Sequence, residues 1–342
     1  MSVTYLPGGG LCNQLITIIN TFAVAYATQA SVQLQPSGYR DSFNTPFFDI
    51  NWTSIDVSSL LNVEHLRQYW AAVGVEIHDY VIRTEAEDAE PFASKQVEMR
   101  MHEQPSRSLL SVANRVYATA LTCLADEMDI QPSDRDLSRV VINLGWPSEK
   151  IKISSHPNIF SQVLDSVVFA PALEYIAEAI LLKLHQLAPH FNGVHLRIEN
   201  DYVHHPHLDH QGTCDNSLHC LDAQFVPAMQ QANFSQELPL FIASAFFTAQ
   251  PQHQSSVLQK LSPFGSRILH KEALADKGQL EPLNPEQLAV IDFMLMRRTA
   301  TFVGVIDSTF SKLVARFRVH DGCDIGSNFF ARDFDRARVD LS

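Results

Sequence analysis

Val3-Thr4-Tyr5-Leu6-Pro7-Gly8-Gly9-Gly10-Leu11-Cys12-Asn13-Gln14 decides how this chain begins to fold. A strand-like apolar run stops at a proline and three glycines. A helical pattern then carries Leu15, Ile18, Ile19, Phe22 and Tyr26 at three- and four-residue spacing. Ser31-Val32-Gln33-Leu34-Gln35 next alternates as a strand and ends at Pro36. Strand, glycine turn, helix and strand make a βαβ opening, the start of a doubly wound parallel sheet. Glycines at such a turn let the backbone approach a ligand, and the helix terminus offers free N–H groups. No Gly-Lys-Ser/Thr follows, so the turn is not a P-loop. It is also a poor NAD fingerprint: Asn13 stands at the third-glycine place, and glutamines replace the ribose-binding acid. A tight turn with no ligand is the plain alternative.

Outward from this opening, residues 40–55 read as a loop and residues 84–105 as an acidic, irregular surface excursion. A helical pattern follows over 107–126. A second unit begins near residue 165, giving an amino-terminal domain 1–165 and a carboxyl-terminal domain 166–342. Pro171 opens an amphipathic helix bearing Leu173, Ile176, Ile180, Leu181 and Leu184. Strands are expected at 191–196, 239–243, around 268–269 and at 301–305, with a helix at 285–297. Two Rossmann-like halves facing one cleft is the simplest architecture.

Composition narrows the partners. The chain has 342 residues, 46% hydrophobic and 18% charged, which is globular rather than disordered. Its net charge of −13 repels polyphosphate, which argues against nucleic acid as a partner. An anionic ligand must therefore be met by a few placed cations and backbone amides. No apolar run approaches the ~20 residues of a membrane span. Cys12, Cys123, Cys214, Cys220 and Cys323 form no Cys-x-x-Cys pair, and their odd number leaves a thiol free. This fits a reducing compartment, with one or two disulfides still open. The expectation is a cytoplasmic protein as the chain stands, or a Golgi or ER luminal one if a leader or anchor has been removed.

Three clusters carry chemistry. The first is the glycine turn with Gly9, Gly10 and Asn13. In the second, His195-Leu196-Arg197-Ile198-Glu199-Asn200-Asp201 follows the strand-like Phe191-Asn192-Gly193-Val194, placing Arg197 at a carboxyl-terminal strand end. Open α/β sheets bind ligands there. A guanidinium is a fixed fork of donors suited to phosphate; the plain alternative is a local ion pair among Arg197, Glu199 and Asp201. The third cluster, Asp307-Ser308-Thr309-Phe310-Ser311-Lys312, places hydroxyls and amides at a helix start after the strand ending at Val305. It suits phosphate oxygens, or helix capping by Asp307 or Ser308. Asp292, among Ile291, Phe293 and Leu295, is either a buried ligand contact or a polar-face residue. His204, His205, His207 and His210, with Cys214, His219 and Cys220 nearby, match no zinc pattern, so no metal is expected. No Gly-x-Ser-x-Gly elbow supports a serine hydrolase.

In this order the clusters resemble the GDP-fucose-dependent O-fucosyltransferases of animals and plants. Gly9-Gly10-Leu11-Cys12-Asn13-Gln14 is similar to the family's Gly-Gly-x-x-Asn-Gln. His195-Leu196-Arg197 with Asp201 is similar to its His-x-Arg strand end and downstream acid. Asp292 with Ser308-Thr309-Phe310 resembles its Asp-then-Ser-Ser-Phe block. The resemblance implies an α/β fold of the GT-B type, two Rossmann-like domains with the nucleotide held mainly by the second. It implies that Arg197 binds the donor diphosphate, with His195 near the nucleotide. Asp292 would contact the guanine, and Ser308, Thr309 and Phe310 would cradle phosphate and base. Gly9, Gly10 and Asn13 would face the sugar and the acceptor. Leu15 and Ile16 stand where the plant pattern has an arginine, and the glycine turn lacks the glutamate of the animal enzymes.

The implied activity is inverting, metal-independent transfer of fucose from GDP-fucose to a hydroxyl of a protein or glycan. Charge on the leaving diphosphate would be met by Arg197, hydroxyls and helix amides. The alternatives are a relative using another nucleotide sugar such as UDP-rhamnose, and a catalytically inactive nucleotide-sugar or glycan binder. A Rossmann oxidoreductase is disfavoured by the missing ribose acid.

Overall fold

The computed structural model describes residues 1–6, 9–40, 52–79, 95–99, 107–125, 140–144, 151–152, 156–199, 216–234 and 236–331. The chain divides into two compact units, Met1–Gly38 with Ser54–Val168, and Tyr39–Thr53 with Phe169–Leu341.

The first unit holds a five-stranded parallel sheet in the order Ile77–Asp79, Ser31–Leu34, Ser2–Thr4, Val140–Asn143, Lys95–Glu98. Ser2–Thr4 is central and wholly buried, with Val3 opposite Val32 on one side and Ile142 on the other. The expected βαβ opening is present, its helix running from Leu11 to Thr28. That helix is long and apolar enough to cross a membrane, but most of it is buried inside this unit, where Phe22 stacks on the fully buried Trp70 at 4.8 Å. Within the stretch read as an irregular excursion, Lys95–Glu98 is instead a strand paired with Val140–Asn143. Its charges mislead because it is an edge strand, where charged side chains discourage pairing with other chains. Trp52–Ile55 is likewise a strand within the stretch read as a loop.

The second unit also holds five parallel strands, ordered Ile268–His270, Leu240–Ala243, Asn192–His195, Phe302–Val305, Asn328–Ala331. The chain builds outward from Asn192–His195 to one edge, then returns to lay Phe302–Val305 on its other side. That reversal is a topological switch point, and the crevice beyond the strand ends there is where such sheets take ligands. Leu240–Ala243 and Phe302–Val305 are buried throughout, as expected of strands covered on both faces. Their core includes Val194, Ile242, Val303, Phe225 and Phe246.

Two helices place side chains at this crevice. Pro285–Arg297 starts at a capping box, in which the Asn284 side chain accepts from Gln287 N–H and the Gln287 side chain accepts from Asn284 N–H. Its apolar residues Val290, Ile291, Phe293 and Leu295 pack inward and carry Asp292 with them. Thr309–His320 begins four residues after Val305 and lies against Gly304, where any side chain would run into Ser311.

Candidate active site

Arg197 lies two residues beyond the end of its strand, with 19% of its side chain exposed. Its Nη1 donates to Glu199 Oε2 at 2.9 Å. Glu199 is almost wholly buried, and its Oε1 accepts from Ala245 N–H at 2.8 Å and lies 3.0 Å from Ser244 Oγ. Of the ion pair set out as the plain alternative, the Arg197–Glu199 contact is present, while Asp201 lies outside the described residues. A carboxylate fixed by backbone and hydroxyl holds the guanidinium in one orientation.

A second charged group is buried deeper. Lys271 Nζ donates to Asp292 Oδ2 at 2.7 Å and to the Ser244 carbonyl at 3.3 Å, and lies 3.2 Å from Glu272 Oε1. Asp292 is 5% exposed, and its Oδ1 has no hydrogen-bond partner among the described residues. Burial pushes the Asp292 carboxyl up to about 7, with Lys271 pulling the other way and Glu272 adding to the rise. Burial works against the Lys271 charge too, but Asp292 and Glu272 overcome it and raise its pKa. Glu272 is also disfavoured by burial, yet Lys271 and a hydrogen bond from His270 hold it down to about 2.

Across the switch point, His195 Nδ1 lies 2.8 Å from Ser311 Oγ, and the Phe310 ring sits 4.4 Å from the imidazole. Burial, with the positive charges of Arg197 and Lys271, lowers the His195 pKa to about 3, so the ring is neutral. Phe310 in turn meets Phe293 edge-on at 5.7 Å. Ser308 is the residue before the helix but makes no side-chain capping bond, so the capping alternative is not realised by it. The first-turn N–H groups of Thr309, Phe310 and Ser311 have no intrahelical acceptor, as at any helix start.

In the first unit, Gly9 has φ +69, a left-handed conformation that favours glycine, and a Cβ there would strike the Asn13 side chain. Gly10 precedes the helix without a capping side chain. Gln14 closes the turn: its Nε2 donates to the Gly9 and Gly38 carbonyls at 3.0 and 2.7 Å, and its Oε1 accepts from Gly38 N–H at 2.9 Å.

The structure thus brings His195, Arg197, Asp292, Ser308, Thr309 and Phe310 to the strand ends and helices of the second unit, and Gly9, Gly10 and Asn13 to the turn of the first. Asp201, the four histidines from 204 to 210 and Cys214 lie outside the described residues. Among the described residues no three His, Cys, Asp or Glu side chains converge as a metal site. Sequence reasoning missed Lys271 and Ser244 as parts of the site, placed Ser311 in the third cluster without its link to His195, and gave Gln14 no role. The Lys271-Glu272 pair at a strand end was the available signal.

Comparison with known proteins bears on this geometry. The family described as GDP-fucose protein O-fucosyltransferase matches residues 4–320. A search of curated proteins by sequence finds no match. Among solved structures, POFUT1 in complex with GDP-fucose superposes with a TM-score of 0.54 at 16% identity, covering 93% of this chain and 94% of that one. The fucosyltransferase NodZ from Bradyrhizobium superposes with a TM-score of 0.50 at 14% identity, covering 92% of each chain. The fold shared with them, two Rossmann-like units with parallel sheets, is of the GT-B type. The match spans both units and every cluster set out above, and the chain is a glycosyltransferase belonging to the GDP-fucose protein O-fucosyltransferase family.

Proposed function

We propose that the protein transfers fucose from GDP-fucose to a hydroxyl of a protein or glycan, with inversion and without a metal. One observation carries the reading: a strand-end arginine, held in place by a buried carboxylate, lies at the switch point of the second unit. In this reading Arg197 takes the diphosphate oxygens, and the hydroxyls of Ser308 and Thr309 with the helix amides take the rest of that charge. Guanine presents N1–H and N2–H donors on one edge, and the unpartnered Oδ1 of Asp292 accepts from it. His195 and Phe310 contact the nucleotide, as does Asp201. Gly9, Gly10 and Asn13 contact the fucose and the acceptor. The acceptor oxygen attacks the anomeric carbon on the face opposite the diphosphate, and the bond to GDP breaks as the new glycosidic bond forms. The acceptor hydroxyl gives up its proton to water or to the departing diphosphate, and the negative charge leaves with GDP. Solved fucosyltransferases of the same fold, POFUT1 among them in complex with GDP-fucose, support the choice of donor.

Cys220 is disulfide-bonded, while Cys12 and Cys323 are in no disulfide. A disulfide supports an oxidising compartment, the ER or Golgi lumen, over the cytoplasm.

A thermal-shift panel of GDP, UDP, GDP-fucose, GDP-mannose and UDP-rhamnose, with and without chelator, tests the donor. GDP and GDP-fucose are expected to raise the melting temperature by several degrees, unchanged by chelator, and UDP to leave it alone. Arg197→Ala is expected to abolish transfer with the fold intact. Wild-type turnover by that variant, or protection by uridine nucleotides alone, would overturn the assignment.

A further inference from the structure

Ser311 sits in the first turn of the Thr309–His320 helix and is fully buried. Its Oγ accepts from Val305 N–H at 2.9 Å and lies 2.8 Å from His195 Nδ1. A serine hydroxyl carries one proton. Of these two partners, one is itself a donor, so the imidazole nitrogen is the acceptor the hydroxyl has. Were the imidazole proton on Nδ1 instead, it would face the serine oxygen, and the hydroxyl proton would lie in a dry interior without an acceptor. Such an unmet donor costs about 1–3 kcal/mol. The hydroxyl therefore donates to Nδ1, and the ring proton belongs on Nε2.

We propose that Ser311 is a positioning residue that fixes His195 as the Nε2–H tautomer, so that the imidazole presents a neutral donor to an oxygen of the donor nucleotide. The nucleotide part rests on the function proposed above; the tautomer stands without it. The chain of bonds begins at strand backbone, which does not rotate: Val305 N–H orients the hydroxyl, and the hydroxyl orients the ring. Gly304 keeps the space clear, since a Cβ there would lie 2.7 Å from Ser311 Cβ. Burial and the nearby Arg197 and Lys271 charges keep the ring from taking a second proton. Without the serine hydroxyl, the ring can move its proton to Nδ1 and turn an acceptor nitrogen toward the nucleotide oxygen, which repels it.

The test labels the full chain with 15N-histidine and reads ring nitrogens by long-range 1H–15N correlation at pH 7, with His195 assigned by its absence in His195→Gln. Wild-type protein is expected to show a protonated Nε2 and a bare Nδ1. In Ser311→Ala the two nitrogens move toward averaged positions, and KM for GDP-fucose rises about 3–10-fold at near-constant kcat, the loss of roughly one hydrogen bond. A wild-type ring protonated on Nδ1, or on both nitrogens, overturns the proposal, and this reading needs no variant to fold. An unchanged spectrum in Ser311→Ala overturns it too. The expected spectra with an unchanged KM overturn the nucleotide contact. A protein that binds no GDP-fucose at all would sink the proposed function while leaving the tautomer decided by the spectrum.

Discussion

Replacing Asp292 with asparagine asks which of two opposing influences governs a buried carboxyl. Burial pushes its pKa from 3.8 up to about 7, while Lys271, 2.7 Å from Oδ2, pulls it down. An acid whose pKa is higher in the folded protein is stabilising in its protonated form. Its contribution is complete below about pH 4 and is lost as the pH rises through about 7. At ~1.4 kcal/mol per pH unit, the whole window amounts to about 4 kcal/mol. Asparagine does not titrate, so the stability of wild type relative to Asp292→Asn should fall by up to that amount between pH 4 and pH 8. Urea unfolding of both proteins across this range measures the difference directly. His195 and Glu272 titrate in both proteins, and their contributions cancel to first order. His195, with its lowered pKa, favours the folded state above about 6.5 and loses that contribution toward pH 3. Glu272 does the same from about 4.5 toward 2. A difference that stays flat over this range would refute the reasoning and show that Lys271, not burial, sets the carboxyl. The same substitution should weaken GDP binding by about 10–100-fold, the worth of a hydrogen bond to a charged acceptor.

Three further outcomes are expected. Gly304→Ala puts a methyl 2.7 Å from Ser311 Cβ and 2.9 Å from the Phe302 ring; it should cost about 1–3 kcal/mol of stability and weaken donor binding, and an unchanged melting temperature would refute that packing. Gln14→Leu strips three hydrogen bonds from the glycine turn and should cost about 1–3 kcal/mol in urea unfolding; wild-type stability would mean the turn holds without its staple. Peptide mapping without reductant should recover the Cys220 peptide cross-linked and the Cys12 and Cys323 peptides alkylatable; an alkylatable Cys220 would remove the argument for an oxidising compartment.

Much of the second unit was legible because local signals and tertiary structure agreed there. Pro285–Arg297 has the expected bounds, and the Asn192–His195 strand ends just before Arg197. The cluster at the strand ends of the second unit was legible as separate pieces but not as a network. Ser244 meets Glu199 across 45 residues, and His195 meets Ser311 across 116, distances over which spacing carries no information. Lys271 and Glu272 carry no local signal of burial, yet beside the paired strand Ile268–His270 Lys271 is 2% exposed. Lys95–Glu98 escaped for the opposite reason. An edge strand has no need of an apolar face pattern, and its charges look like loop.

The Arg40–Glu286 pair has a consequence for how the polypeptide can be divided and how it is made. Arg40 belongs to the second unit although it is encoded within the first, and its Nε donates at 3.0 Å to a carboxylate that is 1% exposed. A fragment starting at Phe169 keeps all five strands of the second sheet but leaves Glu286 buried without its guanidinium, a loss on the order of 3–5 kcal/mol. On the ribosome, Arg40 emerges 246 residues before Glu286 and must wait for it. The second unit is therefore closed by a residue made long before the carboxylate it pairs with, and its completion is a long-range event.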